Sequence, residues 1–108
     1  MMNTKIMRMI LFFDLPAETV SDKKAYAIFH KELIKHGWIM LQFSVYCKII
    51  NFQTKMVSEI QKLQGAIPKY GNIRILNVTE HQYQNIKIIL GEKSLNEDIN
   101  SAKRYVII

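Results

Sequence analysis

Asp14 is the side chain in this sequence best placed to do chemistry. It closes the run Ile10-Leu11-Phe12-Phe13-Asp14-Leu15-Pro16, in which four large apolar residues lead into one carboxylate. An apolar run this short reads as a strand buried on both faces, and Pro16 stops its ladder. An acid inside a core is costly unless paired. At the lip of a strand it meets solvent, a cation or a partner instead. Two roles fit that position. Asp14 is either a turn acceptor for the backbone around Pro16 or a ligand to a hard cation such as Mg2+. One carboxylate alone holds Mg2+ weakly, because a hard cation demands several oxygens. Metal chemistry at Asp14 therefore predicts a symmetric homodimer with one ion shared on its axis.

The usual catalytic sets are absent from the sequence. It has no Gly-rich phosphate loop, no pair of cysteines and no His-x-x-x-His. His30 and His36 lie six apart, poor spacing for a shared ligand face on a helix, and His81 is far from both. Surface or capping roles suit all three. Ser44 has no base beside it. Cys47, the lone cysteine, excludes an internal disulfide and reads as a small buried hydrophobe in a reducing, cytoplasmic setting.

The charge balance is more informative. Lys and Arg number 15 against 9 acids, for a net charge of +6. That balance suits a polyanionic partner. Lys23, Lys24, Lys31 and Lys35 fall in the first predicted helix, Lys55 and Lys62 in the second, and Arg74 in a later strand. Of these, Lys23, Lys24, Lys31, Lys35 and Arg74 are the principal candidate nucleic-acid contacts. Such contacts would grip phosphates without regard to sequence and weaken with added salt. The competing reading of the lysines is a solvated helix surface.

The elements that must position these groups alternate in type. Lys5 to Leu15 is the first strand. Ser21 is the expected cap of a helix running to about His36, with Asp22 in its first turn and Gly37 beyond its end. Ala25, Ile28, Phe29 and Leu33 form its apolar stripe. From Trp38 to Ile50 the residues alternate, with Ile39, Leu41, Phe43, Val45 and Cys47 on one face and Met40, Gln42, Ser44, Tyr46 and Lys48 on the other. The segment is long for one strand and predicts either a single strand or a hairpin breaking near Gln42 to Ser44. A helix is expected from Asn51 to about Ile67, stopped by Pro68, then a turn over Lys69 to Asn72 and a strand over Ile73 to Val78. Thr79 and Gln82 have capping-box spacing for a short helix reaching about Asn85. Ile86 to Leu90 is a further apolar run, Glu92 to Asn100 is polar, and Arg104 to Ile108 is a β-rich end that needs an edge to pair with.

This order predicts an α+β fold, a ferredoxin-like βαββαβ sandwich, with both helices on one face of an antiparallel sheet. The opposite face, with Met40 and Tyr46 assigned to it, would be uncovered, and dimerisation would bury it. At 108 residues, 49% hydrophobic and 22% charged, the composition suits a single domain, with a core over about residues 5–91. No repeat, linker, signal peptide or membrane-length apolar run is read.

Several stretches together resemble a known family. Ile10 to Pro16, the Lys24, Tyr26 and Phe29 positions, Gly37 to Tyr46 with its Gln42-Phe43-Ser44-Val45-Tyr46 element, and Gly71 to Glu80 with Val78-Thr79-Glu80 are similar to CRISPR-associated protein two, in the version found in type II systems. The resemblance spans about residues 7–91. It implies a ferredoxin-like homodimer whose extra C-terminal strand, within residues 92–108, adds to the sheet of the partner protomer. It implies a place in CRISPR spacer acquisition, where the dimer sits between dimers of the CRISPR integrase and holds double-stranded DNA. It also implies a Mg2+-dependent endonuclease acting on RNA or DNA, with Asp14 as metal ligand and catalytic residue. Where many relatives carry arginines in the first helix, this chain has Lys23 and Lys24, which keep phosphate contact but lose the bidentate fork. The alternative function on the same fold is a stand-alone toxin-type endoribonuclease. A regulatory module binding a small metabolite is a third.

Overall fold

β1 (Ile6–Asp14) is the middle of the molecule, with antiparallel neighbours on both sides. In this computed structural model, which describes residues 6–51 and 56–93, the sheet has four strands in the order β2-β3-β1-β4. The others are β2 (Ile39–Gln42), β3 (Val45–Asn51) and β4 (Asn72–Thr79). The helices are α1 (Val20–Lys35), α2 (Met56–Gln61) and the short α3 (Glu80–Gln84), with a 3-10 turn at Gln64–Ala66. The architecture is the expected α+β, ferredoxin-like one. The expected extra strand at Arg104 to Ile108, and Lys55, lie outside the described residues.

Side chains alternate along β1, and the alternation sorts the core. Met7, Met9, Leu11 and Phe13 face the layer of α1 and α2, where Phe29, Leu33 and Leu63 complete a buried cluster with Trp38, Tyr46 and Ile50. Arg8, Ile10, Phe12 and Asp14 face the other way. Register carries the sorting across the sheet: Leu11 pairs with Tyr46 and Ile75, and Ile10 pairs with Cys47 and Leu76.

The long alternating segment is a hairpin, broken at Phe43 and Ser44, between the options the sequence left open. Its two faces are the reverse of those expected. Tyr46 is fully buried under α1, where its ring stacks on Phe13 at 5.8 Å, and Met40 packs against the same core. Both alternating sets contain large apolar residues, so periodicity separated them without saying which one meets the helices. Cys47 is buried, as expected.

The cap of α1 is Thr19, not Ser21. The Thr19 hydroxyl accepts from the Asp22 N–H at 2.9 Å, and Asp22 accepts in return from the Thr19 N–H at 3.1 Å. This reciprocal pair starts the helix two residues before Ser21 and leaves Ser21 nothing to cap. The Thr19 and Glu18 backbone N–H groups hold the Asp22 carboxyl below the usual carboxylate range. At the other end the Gly37 N–H donates to the Ile34 carbonyl and the Trp38 N–H to that of Leu33. Gly37, at φ +91°, allows this turn. Phe29 and Leu33 face the core as expected, but Ile28 is exposed.

Two further boundaries differ from expectation. Asn51 ends β3 instead of starting a helix, and α2 ends at Gln61, with the tighter 3-10 turn following it across Gly65. The capping box at Thr79 and Gln82 is formed as the spacing predicts. Ile86, Ile88, Ile89 and Leu90 are exposed. Among the described residues no helix is long and apolar enough to cross a membrane.

Candidate functional site

Asp14 is the last residue of β1, exposed, at the end of the strand and on the sheet face away from α1. Its partner across the ladder is Asn72, and two residues back Phe12 pairs with Arg74. Paired residues share a face, so Asp14, Asn72 and the exposed Arg74 stand together at one end of the sheet. The backbone beside Asp14 is tightly packed. A Cβ on Gly71 would lie 2.6 Å from the Asp14 carbonyl oxygen and 2.7 Å from Leu15 Cδ2, and φ at Gly71 is +110°. Only glycine lets β4 begin this close to the end of β1. On the opposite side the Phe13 N–H donates to the Ser44 carbonyl at 3.0 Å. The carboxylate thus stands on a backbone held from both neighbours.

Among the described residues, no group of three or more His, Cys, Asp or Glu side chains is arranged to hold a metal. The donors that fit Mg2+ at this end are the Asp14 carboxylate and the amide oxygen of Asn72, both hard oxygens. They are two oxygen donors, fewer than the six positions of an octahedral Mg2+ ion.

The predicted phosphate contacts fall into two groups. Lys23, Lys24, Lys31 and Lys35 are exposed on α1, in the layer on the other side of the sheet from Asp14. Arg74 is on the Asp14 face. One continuous patch does not join them within a single chain. Lys35 lies 4.0 Å from Glu32, a weak exposed pair. Lys62 is engaged elsewhere, with Lys48 on the buried carboxylate of Glu59. Burial opposes the Glu59 charge, yet the hydrogen bonds from Lys48 and Lys62 outweigh it and hold the carboxyl below its ordinary value of 4.5. A carboxyl with a lowered folded pKa stabilises fully above its unfolded value and loses that contribution as pH falls through the folded one. Glu59→Gln should therefore lower stability near neutral pH and flatten the stability profile below about pH 4.5, as read from urea midpoints across pH.

The histidines are placed as surface and capping groups, with one exception. His36 bonds Glu32 at 3.0 Å and His81 bonds Asn85 at 3.1 Å. His30 Nδ1 instead meets the hydroxyl of buried Tyr46 at 2.5 Å, and its ring stacks on Tyr26. Burial, followed by the bond with Tyr26, pushes the Tyr46 hydroxyl upward, so it stays protonated. This aromatic cluster fixes the Phe13 ring, one residue before Asp14.

One buried charge was invisible in the sequence. Arg8, only 1% exposed, sits on the face away from α1 under α3. Its Nε donates to Glu80 Oε1 at 2.7 Å and its Nη2 to Oε2 at 3.2 Å. The Tyr83 ring lies 3.9 Å from the guanidinium carbon. The pair spans 72 positions, so no local pattern reveals it. Within Val78-Thr79-Glu80, Thr79 caps α3 and Glu80 locks the helix onto β1.

Fold and site together define the class: a ferredoxin-like protein with a basic first helix and one carboxylate at the end of its first strand. The chain belongs to the CRISPR associated protein Cas2 family, whose model matches residues 7–86. Three relatives are all named CRISPR-associated endoribonuclease Cas2. The chain is 41% identical to that of Treponema denticola over 102 residues, covering 94% of this chain and 100% of the relative. It is 41% identical to that of Streptococcus mutans, covering 94% and 93%. It is 38% identical to that of Campylobacter jejuni, covering 94% and 71%.

Proposed function

We propose that this chain works as a homodimer in CRISPR spacer acquisition. It holds double-stranded DNA through its backbone, bound to the CRISPR integrase, and Asp14 supports metal-dependent endonuclease chemistry on RNA or DNA. The observation that carries the reading is the face on which Asp14 stands. That face also carries Phe12 and Leu76 exposed on the sheet. A groove of about 420 Å³ lies over it, lined by Ile10, Leu41, Val45, Ile86, Ile88 and Leu90 among others. An apolar face of this kind is covered most simply by a second copy. Burying it brings two Asp14 carboxylates toward one axis, which supplies the mate that one chain lacks.

A Mg2+ ion held by Asp14 and Asn72 would supply Lewis-acid polarisation of the phosphodiester and a more acidic water. The chain's own part is electrostatic. Asp14 and Asn72 offer the hard oxygens, and Arg74 stands beside them as a cation for the phosphate. The lysines of α1, on the outer layer, contact the DNA backbone away from that centre. The names of the relatives support RNA as a substrate to be tested beside DNA.

Two measurements test this reading. Spacer integration by the purified integrase should require this protein, and full integration in its absence contradicts the architectural role. DNA affinity should fall linearly on logarithmic axes with salt. Each of Lys31→Ala and Lys35→Ala should reduce that slope by about 1 without changing sequence preference.

A further inference from the structure

We propose that Phe43 is a stacking platform for an unpaired nucleobase, presented at the Asp14 end of the sheet by the β2–β3 turn. The inference rests on the reading of Asp14 as the nucleic-acid end of the sheet.

Phe43 is 83% exposed. The fold makes almost no use of its ring, so the ring is available to a partner. Nor is it on a loose loop. Gln42 pairs with Val45, leaving only Phe43 and Ser44 in the turn, and the register shifts between Met40 and Gln42. Ser44 is held at φ +70°, a conformation that normally selects glycine or asparagine. Among the described residues it is the only one other than glycine with positive φ. Its carbonyl is fixed by the Phe13 N–H. Irregular register and local strain at a turn are ways in which a sheet re-aims a side chain at a functional place.

The place is specific. Phe12 pairs with Val45, and the Phe13–Ser44 bond continues the ladder by one step. Gln42 pairs with Val45, so Phe43 and Ser44 together form the hairpin tip, one step beyond Phe12 and at the Asp14 end of the sheet. On the other side of β1, Asn72 is level with Asp14 and Arg74 with Phe12. An aromatic ring, a carboxylate and a guanidinium therefore border the same end of the sheet. A cation at this end of the sheet positions a phosphate of the strand, and a flat apolar ring at the same end accepts the face of one of its bases. Bases in a duplex already stack on one another, so this contact favours single-stranded over double-stranded nucleic acid. It carries little sequence preference, because every base has a π face.

The test uses the full chain with Phe43→Ala, Phe43→Leu and Phe43→Trp. The probe is a short single strand carrying 2-aminopurine, with EDTA present to stop cleavage, beside a duplex of the same sequence. Wild type should bind the single strand and quench the probe. Alanine and leucine should each weaken that binding about tenfold and abolish quenching, tryptophan should restore both, and duplex binding should stay unchanged. The inference alone is overturned if wild type binds the single strand with salt-dependent affinity and Phe43→Ala binds as well. It is also overturned if Phe43→Ala dissociates the dimer without altering single-strand affinity, which would make the ring a contact between chains. If wild type binds neither nucleic acid, both this inference and the function it rests on fail.

Discussion

Asp14→Asn is expected to lower Mg2+-dependent phosphodiester cleavage by at least about 100-fold while leaving the melting temperature almost unchanged. The size follows from the chemistry. Metal-held charge stabilisation is worth several kcal/mol in the transition state, and each 1.36 kcal/mol is about tenfold in rate. Asparagine keeps the size and one oxygen but removes the charge that draws the ion. Stability should change by less than about 0.5 kcal/mol, because Asp14 is exposed and makes no contact that the core depends on. Cleavage is best followed on RNA and DNA across Mg2+ concentration and pH. Equal cleavage by the variant and wild type would assign the activity to a contaminant or another site. Arg74→Ala should act differently, weakening substrate binding more than the chemical step.

Glu80→Gln is expected to be the most destabilising single exchange outside the apolar core. The variant leaves Arg8 charged and 1% exposed, without the anion that its Nε and Nη2 contact. Breaking a buried pair on one side costs about 3–5 kcal/mol, and the Glu80 side chain is 21% exposed. Tyr83 and Cys47 also meet the guanidinium, which favours the lower end of that range. In a domain of this size the loss corresponds to a fall of roughly 12 °C or more in Tm. Arg8→Met combined with Glu80→Leu should recover most of the loss, since apolar replacement of a whole buried pair is often neutral. Urea midpoints at fixed protein concentration measure both, because self-association of the proposed dimer would add concentration-dependent stability. A near-neutral Glu80→Gln would mean that Arg8 finds its compensation elsewhere.

The parts of the fold legible in the sequence were those set by neighbours in the chain. The run into Asp14 gave β1 its end, and Gly37 marked the end of α1. Thr79 and Gln82 gave the start of α3. The same rule was available at Thr19 and Asp22, three apart, yet Ser21 is the nearer cap former to the apolar stripe and drew the boundary inward. What stayed hidden depends on partners distant in sequence. Period two divides β3 into two faces, but only the packing of Phe13, Tyr26 and His30 on Tyr46 decides which one is inside. Arg8 looks like a flank of the first strand until Glu80 is brought to it. At the site, Asp14 was visible from its position at the end of an apolar run. Asn72 and Arg74 became its neighbours only through the β1–β4 register, and Phe43 reached the same end of the sheet only through the turn bond to Phe13.

The central claim is that each chain supplies half of a metal site, completed by a second copy. Titration of the protein with Mn2+ as a spectroscopic substitute for Mg2+, followed by electron paramagnetic resonance, tests it most directly. The account predicts one bound ion per two chains, lost in Asp14→Asn with the dimer intact. One ion per chain, or binding unchanged by Asp14→Asn, would contradict it.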